Sequence, residues 1–143
     1  MFQEIIRFIK VDENKISLSI LGRRLRIQRV FRNQQTEKRP LLTDLLPAFA
    51  TELQQLLTEK CETELAAQVP GLTILERCRC GDDFCATFYT QPKPEGTFGP
   101  GHRNVALTPD EGMLVLDVVT GEIACVEVLD RKEIRQKLVE LLP

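Results

Sequence analysis

The sequence predicts an α+β domain: an antiparallel sheet of about five to seven strands, one long helix near 43–67 packed on it, and a short C-terminal helix. Three observations carry that reading. Residues 113–119 and 123–129 are apolar runs on either side of Thr120-Gly121, the pattern of a β-hairpin. Leu46, Phe49, Leu53, Leu56, Leu57 and Leu65 recur at helical steps and form one apolar stripe. Asp130 and Glu133, three apart, precede Ile134, Leu138 and Leu141, which reads as a capping box followed by the docking face of a last helix.

At 143 residues the chain has the length of one ordinary domain, and 1–143 is read as a single one. A chain of this size buries roughly 68–70% of its unfolded surface, enough for a core without disulfides. The hydrophobic fraction of 43% and charged fraction of 28% exclude a disordered chain.

Taken in order, residues 2–11 mix helical spacing at Phe2, Ile5, Ile6 and Ile9 with β-branched content suited to a strand. Asp12-Glu13-Asn14-Lys15 is a turn signal. Ile16, Leu18 and Ile20 then alternate with Ser17 and Ser19, a half-buried strand. Beyond Gly22 the alternation continues through Leu25 and Ile27, so 2–32 reads as a hairpin with a bent continuation. Residues 33–40 are polar and form a loop. The helix that follows starts at an N-cap of Thr43 or Asp44, with Pro47 in its first turn. Cys61 falls on its apolar stripe and reads as a small buried hydrophobe. Val69-Pro70-Gly71 ends it.

Two strand-like runs, 72–80 and 84–90, flank Gly81-Asp82-Asp83. Residues 91–103 hold Pro92, Pro94, Gly96, Gly99, Pro100 and Gly101 and must be an irregular loop. A short strand over 104–108 precedes the Thr120-Gly121 hairpin. That hairpin is apolar on both faces except at Asp117 and Glu127, which places it centrally in the sheet. A simple two-residue turn puts Asp117 and Glu127 on opposite faces, so they form no acid/base couple. An arginine from 23–32 is a natural ion partner for either.

The net charge of −2 implies no general attraction to nucleic acid or membrane. It is unevenly spread, however: residues 1–40 carry ten Lys/Arg against four Asp/Glu, and the rest nine against seventeen. The basic segment reads either as lying against the acidic remainder of its own fold or as an external contact. Arg23, Arg24, Arg26, Arg29 and Arg32 resemble a phosphate-contacting stripe, although only Phe31 is close enough to stack on a base. Residues 1–10 contain acidic Glu4 and interrupted apolar residues, unlike a secretory leader. No run approaches the roughly 18 apolar residues of a membrane span. A cytoplasmic protein is expected, where thiols stay reduced; five cysteines, an odd number, suit that better than a disulfide scaffold.

The most chemistry lies in Arg77-Cys78-Arg79-Cys80-Gly81-Asp82-Asp83-Phe84-Cys85. If the strands pair around Asp82-Asp83, Cys80 faces Cys85 and Cys78 faces Thr87. Residues two apart share a face, and so do opposed residues. All three thiols then project from one side, close enough to converge on a soft cation such as Zn²⁺, whose bonds to sulfur are roughly 2.3 Å. His102, the one histidine, is the candidate fourth ligand, with Cys61, Cys125 or Asp83 as substitutes. The same thiols also fit a buried hairpin face of reduced cysteines, or a Cys80–Cys85 redox pair. Arg77 and Arg79 flank them but point to the other face of an ideal strand. Arg103 and Asn104, beside His102, are candidate anion ligands. No second histidine or serine elbow supports a base–nucleophile pair; a catalytic Cys80 or Cys85 with His102 is the one thiol-enzyme arrangement left.

The run Cys78-Arg-Cys-Gly-Asp-Asp-Phe-Cys-Ala-Thr-Phe-Tyr, with Gly101-His-Arg-Asn and Gly112-Met-Leu-Val-Leu-Asp-Val, resembles a group of small uncharacterised bacterial proteins over roughly residues 70–135. Gly121-Glu-Ile-Ala-Cys-Val-Glu-Val-Leu is also similar to a strand of another small bacterial domain of unknown function, which usually has Gly where Cys125 stands. The resemblance implies a bacterial origin and no activity. The functional expectation is a non-enzymatic binding or regulatory protein with a structural zinc on its cysteine hairpin. The alternatives are a nucleic-acid-binding module using 23–32 and a thiol-based redox protein or enzyme.

Overall fold

The computed structural model describes residues 9–12, 15–20, 23–25 and 39–143. Two compact units divide between Glu37 and Lys38. In the first, β1 (Ile9–Asp12), β2 (Lys15–Ile20) and β3 (Arg23–Leu25) form an antiparallel sheet in that order. Ile9 pairs with Leu18, and Leu18 with Leu25, which is the hairpin and continuation that the alternation predicts. Of the arginine stripe, Arg26, Arg29 and Arg32 lie outside the described residues, as do Phe31 and the segment 1–8.

The second unit builds a five-stranded antiparallel sheet in the order β4-β5-β8-β7-β6. Its strands are β4 (Glu76–Arg77), β5 (Phe88–Tyr89), β6 (His102–Leu107), β7 (Met113–Val119) and β8 (Glu122–Leu129). The β7–β8 hairpin is interior to the sheet, as its two-faced apolarity predicts. Thr120 and Gly121 both have positive φ, 50° and 86°, the type I′ geometry whose twist matches paired strands. The hairpin is not regular, though. A register shift between Asp117 and Val118 pairs Val115 with Glu127 and Asp117 with Cys125. That bulge corrects the expected placement of the two acids: Asp117 and Glu127 share one face.

The single helix expected near 43–67 is three: α1 (Leu42–Leu45), α2 (Pro47–Glu59) and α3 (Thr63–Gln68). Pro47 has no N–H to continue α1, so it opens α2 instead of riding in a first turn. The start also differs: Leu41, not Thr43 or Asp44, is the N-cap, and Leu42 N–H donates to Leu72 O at 2.8 Å. Cys61 adopts φ 61° in the link before α3 and is exposed, which corrects its expected burial. Apolar spacing predicts which residues face the core, and Leu46, Phe49, Leu53, Leu57 and Leu65 do so. It cannot predict where the backbone breaks between them.

α4 (Lys132–Leu141) docks through buried Ile134 and Leu138. The expected capping box does not form. Asp130 is left-handed at φ 59° and Arg131 takes the N-cap position without a side-chain cap. Glu133 instead accepts from Arg131 Nε at 2.9 Å, while the same guanidinium grips Glu52 of α2 through both its oxygens at 3.0 Å. Arg131 thus ties α2 to α4. The helices share one core with Phe88, Leu114, Leu116, Val126 and Val128 of the sheet. No helix among the described residues is long and apolar enough to cross a membrane.

Candidate metal centre

Strands β4 and β5 pair Glu76 with Tyr89 and Arg77 with Phe88. This is the register that opposes Cys78 to Thr87, and Cys78 N–H donates to Thr87 O at 2.8 Å. Regular pairing stops there, so the expected two-residue turn is replaced by a wider tip. Gly81 takes a left-handed φ of 89°, which a side chain would resist. Cys85 N–H turns back to Asp82 O at 3.4 Å, and Cys85 pairs outward with Leu129 of β8.

The tip rests on the last helix and its continuation. Arg135 of α4 donates to Asp82 O at 3.3 Å, Arg77 to Leu142 O at 2.7 Å, and Arg79 to Pro143 O at 2.6 Å. Arginines that strand alternation turns away from the thiols therefore hold the loop that carries them. Arg135 is a residue that sequence reasoning missed, because only the docking of α4 brings it to residues 53 positions earlier.

The sulfurs of Cys78, Cys80 and Cys85 all lie within 4.8 Å of one another. These three cysteines could hold a metal ion. Cys80 is exposed, and Cys78 and Cys85 are half-buried. Their protonation is unequal. The Asp82 N–H favours a Cys80 thiolate, but the Cys78 and Cys85 sulfurs beside it, with some burial, outweigh that and push Cys80 up to about 11. For Cys85 burial acts upward, yet the Thr87 hydroxyl and N–H and the neighbouring Cys80 and Cys78 thiols outweigh it, so Cys85 falls below the ordinary thiol range. Thr87 is buried and is the second residue that motif reading passed over. Its one available signal was its place opposite Cys78.

Of these two thiols, Cys85, whose negative charge neighbouring donors solvate, ionises before Cys80. Alkylation of the metal-free protein, mapped by mass spectrometry as pH rises, should label Cys85 before the more exposed Cys80. The reverse order would mean that exposure, not thiolate character, governs the cluster.

His102 is not brought to the cysteines. It lies on β6, at the sheet edge opposite β4, where Nε2 meets Asp117 Oδ1 at 2.7 Å and the ring stacks on Phe98. Asn104 Nδ2 donates to the same oxygen at 2.8 Å. Among the described residues these two satisfy the buried Asp117; the expected partners in 23–32 belong to the other unit and their side chains lie outside what is described. The expected anion ligands are likewise committed. Arg103 forms a two-pronged pair with Glu62 at 2.7 and 2.8 Å, which holds the Glu62 carboxyl below its ordinary range. Cys125 is buried on β8; desolvation, with the Asp117 and Glu127 charges, pushes its thiol up. The possible substitutes Cys61 and Asp83 do not join the three-sulfur group either.

By fold and site this is an α+β protein with a three-thiol centre on the loop between edge strand β4 and its neighbour β5. No protein-family model, no curated protein and no solved structure matches the chain.

Proposed function

We propose that the chain is a non-enzymatic binding or regulatory protein of the bacterial cytoplasm in which Cys78, Cys80 and Cys85 hold a structural zinc ion. The observation that carries this reading is the mutual approach of three sulfurs within 4.8 Å. Three thiolates crowded this closely repel one another, and a cation relieves that repulsion. Soft sulfur donors select Zn²⁺ or Cu(I) over the hard cations, and zinc suits a site without redox duty. The ion would fix the tip of the loop and, through Arg135 and Arg79, the adjoining end of α4, so shaping a surface for a partner.

Elemental analysis of untagged protein tests the proposal. The expected result is roughly one zinc per chain, lost on Cys78→Ser, Cys80→Ser or Cys85→Ser but not on Cys61→Ser. Protein that arrives metal-free and takes up no zinc in excess would end it.

The lowered Cys85 thiol beside Cys80 favours a second reading, a thiol-based redox pair. Protein that ignores zinc but forms a mixed disulfide at Cys85 with oxidised glutathione belongs to that class. The nucleic-acid reading concerns 23–32, of which Arg23–Leu25 is the described part.

A further inference from the structure

Building on the zinc reading, we propose that the three-thiolate centre is open: its fourth coordination position takes a small oxyanion, a carboxylate or phosphate, drawn in by the arginines of the same cleft.

The inventory of soft donors is short. The chain has five cysteines and one histidine, and all of them fall within the described residues. Three are in the centre. Cys61 is exposed in the link between α2 and α3, and Cys125 is buried on β8 opposite Asp117. His102 is held by Asp117 on the far edge strand. Among the described residues no carboxylate joins the group either. A zinc ion prefers four ligands, and sites with three protein donors leave the last position to water or an exogenous group.

The surroundings decide which group. Cys78, Cys80 and Cys85 line a solvent-open cleft of about 210 Å³ together with Arg77, Arg79 and Arg135. Among the described residues none of these arginines meets a side-chain carboxylate; their resolved bonds go to main-chain oxygens. A guanidinium has five N–H donors, so each keeps several free. Three thiolates on a dication leave a net charge of −1, and an added anion makes it more negative. Arg77, Arg135 and the remaining donors of Arg79, which also meets the oxygen of Pro143 at 2.6 Å, offset that charge and supply the donor geometry that oxyanions match.

Cobalt(II) reports both steps on the full-length chain. In a chloride-free, non-coordinating buffer, loading should give the near-ultraviolet sulfur-to-cobalt charge-transfer band of a thiolate site. Titrating inorganic phosphate in one arm and acetate in the other should then shift the visible d–d bands saturably, and the tighter arm identifies the anion class. In Arg79→Gln the midpoint should rise about tenfold, the worth of one charge-assisted hydrogen bond, with the charge-transfer band still marking a loaded site. Arg135→Gln, read the same way, serves if Arg79→Gln does not load. Bands that neither anion moves mean that the protein, or a second copy of it, closes the fourth position, and the proposal falls while the zinc reading stands. An anion response untouched in both variants also overturns it. Absence of any charge-transfer band sinks the zinc reading itself.

Discussion

With zinc at about a thousand times its dissociation constant, the protein should melt roughly 15 °C higher than after chelation. Ligand held only by the folded state at that excess adds about 4 kcal/mol, and a unit of this size gains about 4 °C per kcal/mol. The direction of the pH dependence follows from the thiols. Zinc must displace protons, above all from Cys80, whose pKa stands at about 11. Protons therefore compete increasingly as pH falls, and the zinc-dependent gain shrinks on acidification and grows with pH. In the metal-free protein the two shifted thiols act in opposite senses. Cys80, raised, favours the fold below the ordinary thiol range and loses that contribution as pH climbs toward 11. Cys85, lowered, favours it above its own folded value and loses that contribution as pH falls through it. Differential scanning fluorimetry with and without chelator, at two pH values, checks this; equal melting temperatures in zinc and in chelator refute it.

Phe88→Ala should cost about 3–5 kcal/mol, the range for emptying a buried aromatic site. Phe88 is fully buried and meets Phe49 of α2 edge to face, with centroids 6.2 Å apart and planes at 78°. It therefore joins β5 to the helical layer, and β5 leads directly from Cys85 and Thr87. Alanine leaves Phe49 facing a void that close-packed neighbours only partly fill. Urea unfolding should show a lower midpoint at unchanged slope, with zinc or without. A loss under about 1 kcal/mol would mean that the ring is not a core element.

Several features are legible in the residues themselves. Apolar runs on both sides of the Thr120-Gly121 turn placed β7 and β8 inside the sheet, because a strand covered on both faces is apolar on both. The stripe from Leu46 to Leu65 named the buried helical face. Counting in twos along the strands also gave the register that opposes Cys78 to Thr87; the three thiols do gather, but Cys80 and Cys85 reach Cys78 through an irregular tip and not through the expected two-residue turn. The interior hairpin, the buried helical face and this register are consequences of local periodicity, and the sequence by itself determined them.

What periodicity could not decide lay in breaks and in distant partners. The bulge after Asp117 shifts one strand by a residue and moves Asp117 onto the face of Glu127, and no pattern of residue types announces it. Pro47 and Cys61 break one helix into three while leaving its apolar stripe intact. His102 has the chemistry of a metal ligand, but the antiparallel path sets it on the edge strand opposite β4, where Asp117 takes it. Arg135 reaches the cysteine loop only because α4 packs back against it. Tertiary structure decided where His102 and Arg135 sit, because that depends on which distant segments share a neighbourhood; the breaks are local departures that side-chain periodicity does not register.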